Sequence, residues 1–267
     1  MSQPAAVFPV ARVAPNLWHA FGGVWRLTYR KFTRPEQWLV FAGVYGLLAM
    51  MEIAIVRDGR SRAFSEFFIK FYMTFVVPMS AFLSGAGALR DEMKAGSAEY
   101  VLTRPVLRPP FVAFKFFSHL VCVQLLGALA LALIVYIAQL RHIPALGNVV
   151  PSLILAQVLT VTAFTALGFF CGVLTSRFLV LGLVYAAVIE VGLGRIPTQI
   201  SRLSLTHQIA DYLEPLMPAA APLVTGVVPP GAVVTTVTFL LFSAVALGLA
   251  AAIFTLRELI GEAARDA

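Results

Sequence analysis

The chain has 267 residues, of which 60% are hydrophobic and only 12% charged, with a formal net charge of +7 and a mean hydropathy of +0.87. A soluble domain carries about 25% charged residues, so this composition excludes an ordinary water-soluble fold. Apolar runs of about 20 residues cross the hydrocarbon layer as helices, and the alternating pattern of about ten residues that marks a membrane barrel is missing. The sequence reads as one all-α membrane domain covering 1–267.

In chain order, Ala5–Val10 is too short an apolar run for a secretory signal and is broken by Pro9. Leu17–Thr33 reads as an amphipathic helix. Trp18, Phe21, Trp25 and Tyr29 recur at helical spacing, and Arg26, Arg30 and Lys31 supply a basic side. Such a helix lies in the membrane interface with its aromatic face down. The alternative, a cytoplasmic extension of the first span, is disfavoured by Arg34-Pro35, because proline restricts the residue before it. Six spans follow. They are Trp38–Val56, which carries Glu52; Phe67–Leu89, with Lys70 near its start; Phe116–Leu140; Ser152–Leu174; the short Phe178–Leu193, with Glu190 near its end; and Val233–Leu256. Six spans place both termini on one side.

Positive charge orients a helical bundle, the basic flanks staying inside. With the N-terminus inside, the inner segments hold thirteen Lys and Arg residues and the outer segments seven. The expected topology is therefore N-in, C-in, although Arg57, Arg60 and Arg62 make the first outer loop basic. The excess charge serves as an orientation signal and an attraction to anionic membrane lipid. A nucleic-acid partner is not expected, because the basic residues bracket membrane spans rather than form a soluble basic face. Cys122 and Cys171 fall inside spans and read as small apolar residues. His19, His119, His142 and His207 are scattered, without metal-ligand spacing.

The densest charged stretch is 90–115, between the second and third spans. Asp91 and Glu92 suit the first turn of a short helix, where the dipole favours acids. Pro105 would end that helix, Pro109-Pro110 would enforce a second bend, and Lys115 would snorkel at the mouth of the third span. A short helix joined rigidly to two spans acts as a lever; the plainer reading is a solvated loop with local ion pairs. Between the fifth and sixth spans, 195–232 begins with a loosely helical stretch, Ile196–Leu213, and then turns proline-rich at Pro215, Pro218, Pro222, Pro229 and Pro230. It reads either as an outer surface loop or as a re-entrant segment, which must be buried in protein or face water.

No catalytic, cofactor-binding or metal constellation is visible. The sequence contains no G-x-x-x-x-G-K-[ST] phosphate loop, no Gly-x-Ser-x-Gly elbow and no H-E-x-x-H. Glu52 and Glu190 are the two acids within spans, where charge is costly and functional by default. They are candidate path-lining residues; interfacial exposure or pairing with Arg57 or Arg195 is the alternative. Gly168-x-x-x-Gly172 permits close helix contact. A membrane-embedded lipid-modifying enzyme would need acids or histidines clustered at one face. A secondary transporter would show internal repeats and central acids. Neither pattern is found.

The string Glu92, Gly96, Ser97, Glu99, Leu102, Arg104, Pro105, Arg108 and Lys115 resembles the cytoplasmic segment of type-2 ABC transporter permeases. Ser97 stands where threonine is commoner, Leu107 where serine is commoner, and Pro109-Pro110 is a local departure. The six-span layout, the basic N-terminal helix and Arg257-Glu258 extend the likeness over most of the chain. It is most similar to the branch that includes the nitrous-oxide-reductase maturation permease. The resemblance implies the membrane subunit of a bacterial ABC exporter in the cytoplasmic (inner) membrane. Two permease copies would form a homodimer, or a heterodimer with a second permease, above two separate ATPase subunits that hold ATP and Mg. It further implies that Arg90, Asp91, Glu92, Gly96, Ser97, Glu99, Arg104, Pro105 and Arg108 form the ATPase-coupling segment, and that short re-entrant helices separate the last two spans.

Overall fold

The computed structural model describes residues 17–56, 61–90, 108–143, 146–195, 199–217 and 231–263, and every regular element among them is helical. Helix α1 is Leu17–Phe32. After a break at Thr33-Arg34, α2 spans Pro35–Ile55, with proline in the first turn, where a missing N–H costs nothing. The 61–90 stretch is one continuous helix in three parts: α3 (Ser61–Glu66), a π-helical segment π1 (Phe67–Val76) and α4 (Val77–Arg90). Then come α5 (Arg108–Leu140), α6 (Leu146–Leu174) and α7 (Phe178–Tyr185), which continues as a second π-helical segment, π2 (Ala186–Gly192). Helix α8 (Leu205–Leu213) lies between 3₁₀ turns at Gln199–Leu203 and Glu214–Leu216, and α9 is Ala232–Ala263.

Among the described residues, five helices have the length and composition to cross a membrane: Pro35–Ile55, Ser61–Ala88, Pro110–Leu140, Leu146–Leu174 and Ala232–Leu256. The expected fifth span is the shorter apolar helix Phe178–Gly192. At 1.5 Å per residue it is at most about 22 Å long, short of the roughly 30 Å hydrocarbon core. Two starting points also move. The second span begins at 61 rather than 67, and α5 begins at 108 rather than 116. Pro109 and Pro110 occupy the first turn of α5 instead of enforcing a bend. Lys115, expected to snorkel, is 4% exposed within the wall of that helix. The aromatic residues of α1 divide between two sides. Phe21 packs on Trp25 and, at 5.4 Å, on Phe114 of α5, while Trp18 and Tyr29 face outward.

Helix α6 is the centre of the bundle, buried along most of its length and in contact with α4, α5, α7, α8 and α9. Glycine sets its distance from α4. A Cβ on Gly85 would lie 2.5 Å from the Thr165 carbonyl oxygen, one on Gly172 would lie 2.5 Å from that of Ala86, and one on Gly168 would collide with the backbone of Phe82 and Ala86. The Gly168-x-x-x-Gly172 pattern is thus a backbone-to-backbone crossing. Polar ties join the other helices. Gln124 Nε2 donates to the Val158 carbonyl at 2.9 Å, linking α5 to α6, and Tyr45 Oη donates to the Leu126 carbonyl at 2.8 Å, linking α2 to α5.

Two apolar clusters form the core, a large one running along the bundle and a smaller one at one end. Ala88, Phe111, Val112, Val173 and Phe254 pack together with Val24 of α1. They gather the C-terminal end of α4, the N-terminal end of α5 and the C-terminal regions of α6 and α9. The opposite end holds Val56, Phe64, Ile143, Leu146 and the buried face of α8. There α5 stops in a six-residue cap: Ile143 N–H donates to the Ala138 carbonyl, His142 N–H to that of Gln139, and His142 takes φ 55°. This is the Schellman arrangement, with histidine where glycine usually sits.

Candidate functional site

A cavity of about 630 Å³ opens between π1 and α4, α6, and the short helix formed by α7 and π2. Its wall is apolar, built from Phe75, Met79, Phe82, Leu83, Leu167 and Leu183 among others, and its polar residues are Thr74, Tyr185, Glu190 and Thr206. Both π segments contribute wall residues. A π turn carries one extra residue per turn and shifts the side chains after it around the helix, and such turns recur at functional sites. Thr74 Oγ1 donates to the Ile69 carbonyl five residues back at 2.7 Å, the mark of that wider winding. Gly182 receives the Phe82 ring, which a Cβ would displace, so α7 lies directly on α4.

Glu190 is the polar centre of this wall. Its Oε2 accepts from Ser204 Oγ at 2.6 Å, Thr206 Oγ1 at 2.6 Å and Thr206 N–H at 3.0 Å; its Oε1 accepts from Tyr185 Oη at 2.8 Å. Ser204 is the N-cap of α8 and also accepts from His207 N–H at 3.1 Å. The carboxylate therefore sits at the positive end of α8 and holds it by its first turn. Helix α8 is buried over nearly all its residues and packs on π1, α6 and α9. At its far side His207 Nε2 lies 3.5 Å from Asp211 Oδ2.

A family model described as ABC-2 family transporter protein matches residues 28–259. The chain belongs to the ABC-2 transporter family. No curated protein matches it. Membership makes it a multi-pass membrane component of a transporter, in a family whose members normally work with a separate ATPase subunit.

Within this ABC-2 chain the residues singled out from the sequence have different fates. Glu190 lies on the cavity wall, tied to α8 rather than exposed at an interface. Glu52 does not reach that cavity. It is 0% exposed on the inner seam of α2, one turn from Leu48 and one from Val56, and neither carboxylate oxygen has a hydrogen-bond partner among the described residues. Interfacial exposure is thereby excluded for it, and Arg57 lies outside the described residues. Of the coupling segment, Arg90 closes α4 and Arg108 opens α5. Asp91, Glu92, Gly96, Ser97, Glu99, Arg104 and Pro105 lie outside the described residues, as do 218–230 of the loop before α9. Cys122 and Cys171 are both free and buried. Tyr185, Ser204 and Thr206 were not singled out from the sequence; the available signal was Ser204 in N-cap position before a short amphipathic stretch.

Proposed function

We propose that this chain is the membrane subunit of an ATP-driven exporter and moves an apolar or amphipathic substrate. The observation that carries the reading is the family match over residues 28–259; the apolar cavity bordered by two π segments supports it by offering a place for such a substrate. The end of the bundle that gathers α1, Ala88, Phe111 and Phe254 is the cytoplasmic end in this reading, in line with the inward bias of basic residues. Separate ATPase subunits carrying ATP and Mg dock there, and a second permease copy completes the path. Arg90–Arg108 receives the push and passes it to α4 and α5, both of which lean on α6. The Gly85–Gly168–Gly172 crossing ties α4 to α6 closely enough that the two move together. Motion of α4 then changes the cavity wall it shares with α7 through Phe82 and Gly182. The short α7–π2 helix supplies the fifth span together with the buried α8, which enters as a re-entrant segment held by Glu190.

The topology is tested by impermeant thiol labelling. Single cysteines replace Ser97 or Leu203, the latter exposed on the turn before α8, in a background lacking Cys122 and Cys171. Position 97 labels from the cytoplasmic side and position 203 from the outer side. Outer labelling at 97 overturns both the orientation and the coupling role of the segment.

A further inference from the structure

The cavity beside Glu190 is bordered by one acid and, among the described side chains, by no Lys, Arg or His. Every hydrogen-bond partner of Glu190 is a neutral donor: Ser204 Oγ, Thr206 Oγ1, Thr206 N–H and Tyr185 Oη. The two hydroxyl contacts to Oε2 are both 2.6 Å, the length of an O–H···O⁻ bond. Neutral donors orient a carboxylate without cancelling its charge. A charge set in an apolar wall is costly, and such charges are normally paired. Holding α8 does not call for it, because a neutral acceptor serves at a helix N-terminus. The negative charge is thus the part of Glu190 that its structural role leaves unexplained.

The carboxylate also has room for a further partner. Oε2 takes three hydrogen bonds, but Oε1 takes one, from Tyr185. With roughly two acceptor positions on each carboxylate oxygen, Oε1 keeps one open to a donor. The rings of Phe75, Phe82 and Tyr185 border the same space, and aromatic faces attract an ammonium group. The rest of the wall suits an alkyl chain. Leu179, Val180 and Leu183 line it along α7 and are themselves exposed, so the cavity opens on an apolar surface. At 1.5 Å per residue, Leu179 and Glu190 stand roughly 16 Å apart along the helix axis. A charged head and an apolar tail both fit that run. Glu190 lies near the end of the short helix, which puts the head toward the membrane surface and the tail toward the acyl layer.

We propose that this cavity selects a cationic amphiphile, its ammonium head on Glu190 Oε1 and its alkyl tail along α7. The inference rests on the reading of this cavity as the substrate's place and narrows that substrate from amphipathic to positively charged. The carboxylate repels an anionic head and gives a neutral one only a hydrogen bond, so charge is the property on which the site discriminates.

The test uses the full chain in nanodiscs of phosphatidylcholine, whose surface carries no net charge to attract a cation. A diazirine-bearing decylamine is the probe, and crosslinked peptides are located by mass spectrometry. Saturable adducts are expected on the segments lining the cavity, 74–83 and 179–191. At equal membrane concentration, unlabelled decylamine, protonated at neutral pH as a lysine side chain is, competes about tenfold better than decanol. Decyl sulfate competes less well than decanol. Glu190→Gln brings decylamine and decanol to the same potency. That ratio is read within one chain, so a general loss of binding does not imitate it, and the comparison on the unmodified chain stands even where the variant misfolds. Saturable labelling with decanol as potent as decylamine overturns the cation assignment and leaves the amphipathic-substrate reading in place. Labelling that does not saturate overturns both. The assay needs no ATPase, so a failure of export on reconstitution leaves a measured preference for the cation standing.

Discussion

Glu190→Gln replaces a carboxylate that accepts four hydrogen bonds by an amide with one acceptor oxygen. The amide oxygen can take the place of Oε2 and keep Ser204 Oγ, Thr206 Oγ1 and Thr206 N–H, at 2.6, 2.6 and 3.0 Å. Each of these changes from charge-assisted to neutral. Hydrogen bonds to charged groups contribute about 1.5–3 kcal/mol and neutral ones about 0.5–1.5 kcal/mol. Because the three donors share one oxygen, their losses do not add in full, and the expected cost is about 2 kcal/mol. Glu190→Ala leaves the buried Ser204 and Thr206 donors without their acceptor and costs about 3–4 kcal/mol. Thr206→Val alone costs about 1 kcal/mol, and the Glu190→Gln/Thr206→Val pair shows a coupling of about 1 kcal/mol. Thermal unfolding of the purified chain in detergent gives the four corners of the cycle. Amide exchange over 204–213 reports whether α8 loosens first. Additive single effects, together with unchanged exchange over 204–213, would refute the claim that Glu190 holds α8 by its first turn.

Gly168→Ala drives a Cβ into the backbone of Phe82 and Ala86 and destabilises by about 1–3 kcal/mol; Gly248→Ala, with open space around it, is neutral or gains up to about 1 kcal/mol in the same melt. His142→Gly relieves the left-handed backbone at φ 55° and stabilises by about 1 kcal/mol, read as a raised unfolding temperature.

What the sequence conveyed about the fold followed from local chemistry. Apolar runs placed five long helices, and Arg34-Pro35 placed the break before α2, because length, hydropathy and proline act within a few residues. Helix α5 begins eight residues before the span expected from Phe116. Charged and proline residues at 108–115 read as loop, but Pro109 and Pro110 fit a first helical turn and Lys115 is buried. The π segments had no sequence signature at all, since the winding is decided by how 67–76 and 186–192 pack. At the site, Glu190 stood out as an acid in an apolar run, whereas its partners Ser204 and Thr206 lie 14 and 16 residues away. That juxtaposition exists only once α8 folds back against π2. The glycine pattern at 168 and 172 indicated a close crossing, and the structure supplied the partner, α4.

The most direct measurement is co-reconstitution of the chain with its cognate ATPase in proteoliposomes, scoring ATPase docking, ATP hydrolysis and export together. The chain is predicted to retain the ATPase through purification and to export only with ATP. The Glu92→Lys/Glu99→Lys variant is predicted to insert normally yet lose docking or separate hydrolysis from export, because half-broken charge pairs at a buried interface cost about 2–5 kcal/mol. Normal docking with normal export by that variant, or export that proceeds without any ATPase, would contradict the assignment of this chain as an ATP-coupled permease driven through its 90–108 segment.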